Sequence, residues 1–374
     1  MKKFPDTRDL FIVAAGVIAA AIHIHSFHPF YCDDALISLR YAQRLLDGHG
    51  LTWTDGPRVE GYSNLLWILA CAALGRLGVD LITASRVLGG LGVAGVFGAL
   101  AYYRASRHTE SIVPFAAAVA VIGLAAPSAA WALAGLETSW VAAFLAWGFV
   151  LLLLSARDAP AGKRYAMAGL CFGLLCLTRP DGPLFVAIVV AWLAVVPGIE
   201  GRRAKLAGFL FWPVALLAGQ LAFRLVYYGG WLPNVWYVKI SPSLRHFASG
   251  AGYVARGMLA LMPASLLAIG GLVVVIRRDP VRRASAALLL AAIVVWLAYV
   301  AFIGGDIFLG RRHMVPFVVM AALGMIVGLE WLVTSRDVRS QKWALAAVTA
   351  VAWFLAGQMA DPSNHKVRKD LWVW

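Results

Sequence analysis

Long apolar stretches alternate along this sequence with short clusters of Lys and Arg. Residues 10–24, 140–154 and 284–303 approach or reach the roughly 20 apolar residues that a membrane-spanning helix needs. Of the 374 residues, 61% are hydrophobic and 14% are charged, whereas soluble globular chains are about half apolar and about a quarter charged. Such a surplus of apolar surface needs a bilayer to cover it, so we predict an all-α polytopic membrane protein.

The basic clusters indicate which turns face the cytoplasm, because loops on that side carry the excess of Lys and Arg. The chain leaves and returns between consecutive clusters, so each interval should hold an even number of crossings. Three apolar segments lie between Arg8 and Arg104, and we assign the shortest, residues 65–78, to an interfacial helix on the outer face. The alternative, in which 65–78 crosses, would put Arg104 and Arg107 outside.

This threading gives about 11 spanning helices, with the amino terminus inside and the first apolar helix retained as an anchor. Residues 1–358 form the predicted transmembrane module, with residues 30–81 as its first outer loop, and residues 359–374 form a short outer tail. The net charge of +14 follows from the positive-inside bias, and the sequence holds no basic stripe of a nucleic-acid reader. We therefore expect a protein of a bacterial inner membrane that contacts lipids and binds no nucleic acid.

Two adjacent acids, Asp33 and Asp34, stand where the first helix should leave the membrane. Apolar residues follow at helical spacing, which predicts an amphipathic surface helix that begins at these acids. One Asp could cap that helix while the other favours its N-terminus. Two carboxylates beside a bilayer also suit a general base or a metal ligand. The residues alone leave both explanations open.

Further ionisable residues fall in the predicted outer turns, where a charge near the bilayer is costly and often marks a site. Glu137 precedes an apolar helix, and Asp181 follows Arg179, with which it could simply pair. Basic residues on the outer face run against the positive-inside trend and could hold a phosphate, with lipid-headgroup contact as the alternative. The basic residues are Lys239, Arg311 and Arg312, and the acid Asp306 lies a few positions before the two arginines.

Taken in order, the motifs resemble the GT-C glycosyltransferases, in particular the mycobacterial terminal arabinofuranosyltransferase group. The specific part is the first outer loop, which matches in three pieces: DDALISLRYA (33–42), DGHGLTW (47–53) and VEGYSNLLW (59–67). Shorter matches follow it, and the likeness runs from residue 10 to about 334: GLET (135–138), TRPDG (178–182), YYG (227–229), LPN (232–234), YVK (237–239), GGD (304–306) and RR (311–312).

The resemblance implies a polyprenyl-phosphate sugar donor and transfer, with inversion, to a hydroxyl of a cell-envelope glycan or lipid on the outer face. It implies that Asp33 or Asp34 is the base and that Glu137 could complete a site for Mg, Mn or Ca with that pair; catalysis without a metal stays open. The residues implied for the donor phosphate or the substrate are Arg40, Tyr41, Glu60, Tyr62, Asn64, Arg179, Asp181, Asn234, Tyr237, Lys239, Asp306, Arg311 and Arg312.

Arabinofuranose is the sugar of the group that the motifs resemble, but those enzymes carry a further soluble domain after the spanning helices, and this chain ends soon after the eleventh. One alternative is therefore a GT-C enzyme that transfers a hexose or another sugar to lipopolysaccharide, a wall polymer or a protein. The alternative from another class is a lipid flippase or transporter. The notable charges cluster at one face and no paired broken helices are found, which counts against transport.

Overall fold

The computed structural model describes residues 7–107, 111–155, 162–197, 199–234, 244–334 and 338–360. Within these ranges the chain forms fifteen α-helices, one short 3-10 helix and no strand, so the predicted all-α class is confirmed. In chain order the helices are α1 (Thr7–His25), α2 (Asp33–Leu46), α3 (Leu65–Arg76), α4 (Leu81–Ser106), α5 (Val113–Leu124), α6 (Ala126–Ala132), α7 (Thr138–Ser155), α8 (Gly162–Thr178), α9 (Gly182–Val195), α10 (Arg202–Tyr228), α11 (Leu244–Ala260), α12 (Ala264–Arg278), α13 (Arg283–Phe302), the 3-10 turn Arg312–Met314, α14 (Val315–Thr334) and α15 (Val338–Ala360).

Six helices in the described ranges are long and apolar enough to cross a membrane, namely α1, α4, α7, α10, α13 and α14. Two bent pairs raise the number to eight if each counts as one span: α5 with α6, bent by 53°, and α11 with α12, bent by 93°. The three other predicted crossings coincide with α8 (17 residues), α9 (14 residues) and α15, whose described apolar run is Lys342–Trp353. Length and composition alone thus support up to eight of the eleven or so crossings.

The segment that we assigned to the interface, residues 65–78, contains helix α3. This helix has 12 residues and is therefore about 18 Å long at 1.5 Å per residue, too short for a hydrocarbon layer of roughly 30 Å. It packs against α2, and the two helices share a small apolar cluster of their own that includes Tyr41, Trp67, Ile68 and Cys71. The length of α3 supports the interfacial assignment.

The centre of the bundle is occupied by α7 and α14, in which 78% of the most apolar 18-residue stretch is buried. Both helices are apolar all around, as expected for a helix that other helices enclose. Helix α7 packs against α4 and α8, and α14 packs against α5, α12 and α13. Helix α10 is the opposite case: it packs mainly against α8 and exposes Phe211, Val214 and Val226, as a lipid-facing helix does.

Ion pairs between distant segments show which helix ends meet. Arg104 pairs with Asp9 at 3.0 Å and Arg107 with Glu330 at 3.0 Å, so the start of α1 and the ends of α4 and α14 lie together. Arg282, at the start of α13, lies 3.8 Å from the same Glu330. We call this the basic end, because it gathers residues of the predicted cytoplasmic clusters, and we call the opposite end, where α7 and α14 begin, the site end.

Candidate active site

Both aspartates lie in the first turn of α2, at the site end. The N-cap residue is Cys32, and its side chain makes no capping hydrogen bond. One oxygen of Asp33 accepts hydrogen bonds from the Asp34 amide at 2.9 Å and from the Cys32 thiol at 3.7 Å, and both carboxylates are half-buried. The N-cap position thus belongs to Cys32 and to neither Asp, while Asp33 satisfies one first-turn amide and both side chains gain from the positive N-terminal end of the helix.

The turn that leads into α7 packs directly against this helix start. The Cys32 amide donates to the Ala134 carbonyl at 3.0 Å, and the Trp67 indole N–H donates to the Gly135 carbonyl at 3.1 Å. Gly135 has a φ of +89°, a conformation in which glycine is strongly favoured. This turn places Glu137 beside the beginnings of α2 and α3.

Glu137 belongs to a buried polar network that ties four parts of the chain together. Asn64 Nδ2 donates to Glu137 Oε2 at 2.8 Å and to Ser38 Oγ at 2.9 Å. Arg179 Nη1 donates to Glu137 Oε1 at 3.4 Å. The Arg179 guanidinium also makes a fork onto Asp181, with distances of 2.8 and 3.1 Å, so the predicted Arg179–Asp181 pair is confirmed. The network links α2, the start of α3, the start of α7 and the turn between α8 and α9.

The loop before α14 carries the other predicted ionisable residues. Arg312 pairs with Asp306 at 3.1 Å, and its guanidinium lies over the rings of Trp131 and Phe308 at 5.3 and 5.0 Å. Arg311 precedes it in the left-handed region with a φ of 50°, a strained conformation for a side chain of this size that tends to mark functional positions. The Arg311 side chain makes no hydrogen bond or ion pair within the described part of the chain.

This loop and the start of α2 lie close together. Burial raises the pKa of the Cys32 thiol to about 12, and the Arg312 guanidinium is near enough to oppose that rise. Phe30, two residues before Cys32, meets the edge of Trp131 at 5.4 Å between ring centroids, and Trp131 in turn stacks under Arg312. Through Trp131, the structure therefore brings the start of α2, which carries the acid pair, near the Arg311–Arg312 loop.

A second group of predicted residues joins the first outer loop to the end of α10. Glu60 is buried and pairs with Arg224 through both oxygens, the longer contact being 3.1 Å. The Tyr62 and Tyr228 hydroxyls lie 3.0 Å apart, and the backbone N–H of Asn234 donates to the backbone carbonyl of Glu60 at 3.1 Å. These contacts hold the loop in place, and the substrate role of Glu60 and Tyr62 stays a prediction.

Tyr41 likewise supports the loop, since its hydroxyl donates to the Val59 carbonyl at 2.7 Å. Arg40 is exposed, and its one hydrogen bond among the described residues goes to the Trp53 carbonyl at 3.4 Å. Tyr237 and Lys239 lie outside the described residues, as does the tail beyond residue 360.

Three residues of the site were not predicted from the sequence. Ser38 is a small hydroxyl within a helix and gives no signal on its own, although it stands four residues after Asp34 and hence on the same helix face. Trp131 lies within an apolar run, which by itself predicts only packing in the core. Arg224 lies inside a long apolar helix, and this was a signal that could have been used, because a charge there is costly.

The metal site stays a prediction. The described residues hold no group of three His, Cys, Asp or Glu side chains placed for a metal. Both Glu137 oxygens accept hydrogen bonds from N–H donors, and the positive charge of one donor, the Arg179 guanidinium at 3.4 Å, opposes a cation at the same carboxylate. Cys32 and Cys71 are both free and buried.

No protein-family model matches the chain. Its sequence is 27% identical, over 389 aligned positions, to the terminal β-(1→2)-arabinofuranosyltransferase of Corynebacterium glutamicum, with 91% of this chain and 55% of that protein covered. The chain thus spans about half the length of this curated relative.

Two solved structures share the fold. One is ArnT from Cupriavidus metallidurans bound to undecaprenyl phosphate, with a TM-score of 0.59, 15% identity, and coverage of 91% of this chain and 63% of that one. The other is the archaeal oligosaccharyltransferase AglB from Archaeoglobus fulgidus in complex with an inhibitory peptide and a dolichol-phosphate, with a TM-score of 0.60, 12% identity, and coverage of 96% and 56%. The resemblance read from the motifs is thereby confirmed: this chain has the membrane fold of the GT-C glycosyltransferases and a sequence similar to that of a terminal arabinofuranosyltransferase.

Proposed function

We propose that this protein is a membrane glycosyltransferase that moves a sugar from a polyprenyl-phosphate donor to a hydroxyl group of a cell-envelope acceptor on the outer face. The observation that carries the proposal is the meeting of the Asp33–Asp34 helix start with the Arg311–Arg312 loop. A carboxylate can take the proton of the attacking hydroxyl, and a guanidinium can hold the departing phosphate. Glycosyl transfer from a lipid phosphate needs both groups at one place.

Arg311 is the described cation best suited to the donor phosphate. Arg179 is already neutralised by Asp181 and Glu137, and Arg312 by Asp306. Among the described residues Arg311 has no such partner, and it stands in the loop before α14 with a left-handed backbone. An unpaired guanidinium presents its full fork of N–H donors to a phosphate.

Asp34 is the better placed of the two acids to act as the base. It lies four residues before Ser38, on the helix face that carries the buried network. The acceptor oxygen bonds to the anomeric carbon from the side opposite the phosphate, and its proton passes to the carboxylate. The bond from carbon to the phosphate oxygen breaks with its electron pair, so the anomeric configuration inverts. No step of this mechanism runs through a metal.

The lipid carrier and the sugar are supported by different relatives. ArnT and AglB, which share the fold, are bound in their structures to undecaprenyl phosphate and to a dolichol-phosphate, and this supports a polyprenyl-phosphate donor. The relative from Corynebacterium glutamicum is named as an arabinofuranosyltransferase, and this supports arabinofuranose as the sugar.

The proposal is tested with the purified protein in lipid nanodiscs. The protein receives decaprenyl phosphate linked either to arabinofuranose or to a hexose, together with an envelope glycan fraction as acceptor, and the products are measured by mass spectrometry. We expect transfer from the arabinofuranose donor with an inverted linkage. Transfer from the hexose donor alone would replace the sugar and keep the enzyme class, whereas movement of the lipid across the bilayer without any glycosyl product would refute the proposal.

The substitution Arg311→Ala should weaken donor binding. A hydrogen bond to a charged group contributes about 1.5–3 kcal/mol, so we expect kcat/KM for the lipid-linked donor to fall roughly 10- to 150-fold. Steady-state kinetics with varied donor measure the effect. Arg76→Ala is the matched control, because Arg76 is an exposed arginine on α3 that makes no contact with the site. Equal kinetics for the two variants would remove Arg311 from the phosphate site.

A further inference from the structure

The hydrogen bond between Asn64 and Glu137 takes the place of the helix-capping contact that an Asn at this position usually makes. Asn64 is the N-cap of α3, a position that Asn favours because its side chain can accept from the helix amides, yet it makes no capping hydrogen bond. Its amide nitrogen instead donates to Glu137 Oε2 at 2.8 Å. The residues are only 6% and 5% exposed, so this is a desolvated, charge-assisted hydrogen bond.

Asn64 also holds α2, the helix that carries the acid pair. Its amide nitrogen lies 2.9 Å from Ser38 Oγ, and its carbonyl oxygen lies 3.2 Å from the same hydroxyl. Ser38 is one helical turn after Asp34. The amide therefore connects the carboxylate of the turn before α7 to the helix on which the proposed base stands.

Glu137 in turn is held from its other side by Arg179, at 3.4 Å. Both carboxylate oxygens are thus engaged by N–H donors, and the residue is 5% exposed. A carboxylate held in this way is a fixed acceptor. The positive charge of Arg179 beside it also opposes a cation at this carboxylate.

We propose that Asn64 and Glu137 are positioning residues, which hold Asp34 in its reactive place through the hydrogen bond from the Asn64 amide to the Glu137 carboxylate and through Ser38. The inference rests on the proposed function, since it assigns these residues to the same site. It gives Glu137 a role other than metal ligand and Asn64 a role other than substrate contact.

Replacement of the amide by an acid makes this hydrogen bond depend on pH. In Asn64→Asp, two buried carboxylates would face each other at about 2.8 Å, so the pair would retain one proton up to a raised pKa. Below that pKa the shared proton replaces the amide N–H and positioning is kept. Above it both groups are charged, they repel each other, and α2 is released.

We therefore expect kcat of Asn64→Asp to lie within about threefold of the wild type at low pH, since one hydrogen bond is exchanged for another. It should fall about tenfold per pH unit above the pKa of the pair, as for any activity that needs a single proton, while KM for the donor changes little. Gln43→Glu is the matched control, because Gln43 is an exposed amide of α2 that donates to Asp47 at 2.8 Å. Its pH profile should follow the wild type.

The double variant Asn64→Asp/Glu137→Gln tests the same bond in reverse. The new glutamine can donate to the new aspartate, so the hydrogen bond is restored with donor and acceptor exchanged and the total charge is unchanged. We expect kcat within about threefold of the wild type across the pH range. A metal ligand or proton-transfer group at position 137 would not survive this exchange, so an inactive double variant that folds normally would overturn the proposal.

Thermal unfolding of every variant at each pH separates positioning from folding. Because the repulsion of two buried carboxylates also destabilises the folded state, Tm of Asn64→Asp should fall as pH rises past the pKa of the pair, while the protein stays folded at the assay temperature. Loss of kcat only at those pH values where the variant unfolds at the assay temperature would overturn the proposal in favour of a structural role. A pH profile of Asn64→Asp parallel to Gln43→Glu would overturn it as well. Absence of glycosyl transfer by the wild type would instead refute the proposed function.

Discussion

Asp34→Asn should lower kcat by about 10²- to 10⁴-fold, the usual contribution of a positioned general base. Asparagine keeps the size and the helix N-terminal position of Asp34 but cannot accept the proton of the acceptor hydroxyl at neutral pH. Donor binding does not need this group, so KM for the lipid-linked donor should change little. Steady-state kinetics in nanodiscs with saturating acceptor measure both constants.

Asp33→Asn should have a smaller effect, about tenfold at most, because the Asp33 carboxylate already accepts hydrogen bonds from the Asp34 amide and the Cys32 thiol and an Asn side-chain oxygen can still accept them. Asp47→Asn is the control, since Asp47 is exposed at the far end of the same helix. Full activity in both Asp33→Asn and Asp34→Asn would remove the base from this pair. The opposite ranking would move it to Asp33.

Much of the fold could be predicted, because the bilayer imposes one length and one side-chain chemistry on every crossing. Every predicted spanning segment in the described part of the chain is helical, and the parity of the basic clusters assigned residues 65–78 to the interface. The bends were not predicted. Helix α5 ends at Leu124 and α6 begins at Ala126 within one apolar run, and Pro127 in the first turn of α6 is a local signal for this break that could have been used.

The candidate site could be predicted only as a set of residues. Acids and bases in predicted outer turns share one end of a bundle by topology, so Glu137, Arg179 and Asp181 were found together. Which of these side chains pair depends on distances of a few ångströms in the folded protein, and sequence spacing does not determine those distances. Asn64 and Glu137 are 73 positions apart and Glu60 and Arg224 are 164 apart. The second of these contacts shows that Glu60 of the first outer loop is paired, and its substrate role stays a prediction.

The basic end should carry the largest stability effect of a single substitution. Glu330 is 2% exposed and accepts from the Tyr103 hydroxyl at 3.2 Å and from Arg107 at 3.0 Å, with Arg282 at 3.8 Å. Glu330→Ala would remove the buried carboxylate that faces the guanidinium groups of Arg107 and Arg282 at the basic end. Breaking a buried pair in this way costs about 3–5 kcal/mol. At roughly 2 °C per kcal/mol for a large domain, Tm should fall by about 6–10 °C.

Differential scanning fluorimetry in detergent measures this shift, and Glu200→Ala is the control, since Glu200 is an exposed acid in a turn. Glu330 lies 15 residues after the start of α14 at Val315, which is about 22 Å along the helix from the site end. The kcat of Glu330→Ala at 20 °C should therefore stay within about threefold of the wild type, because the substitution breaks no contact of the acid pair. A large loss of kcat without a fall in Tm would mean that the two ends of α14 are coupled, and that the charges at the basic end belong to the reaction cycle instead of to the stability of the bundle.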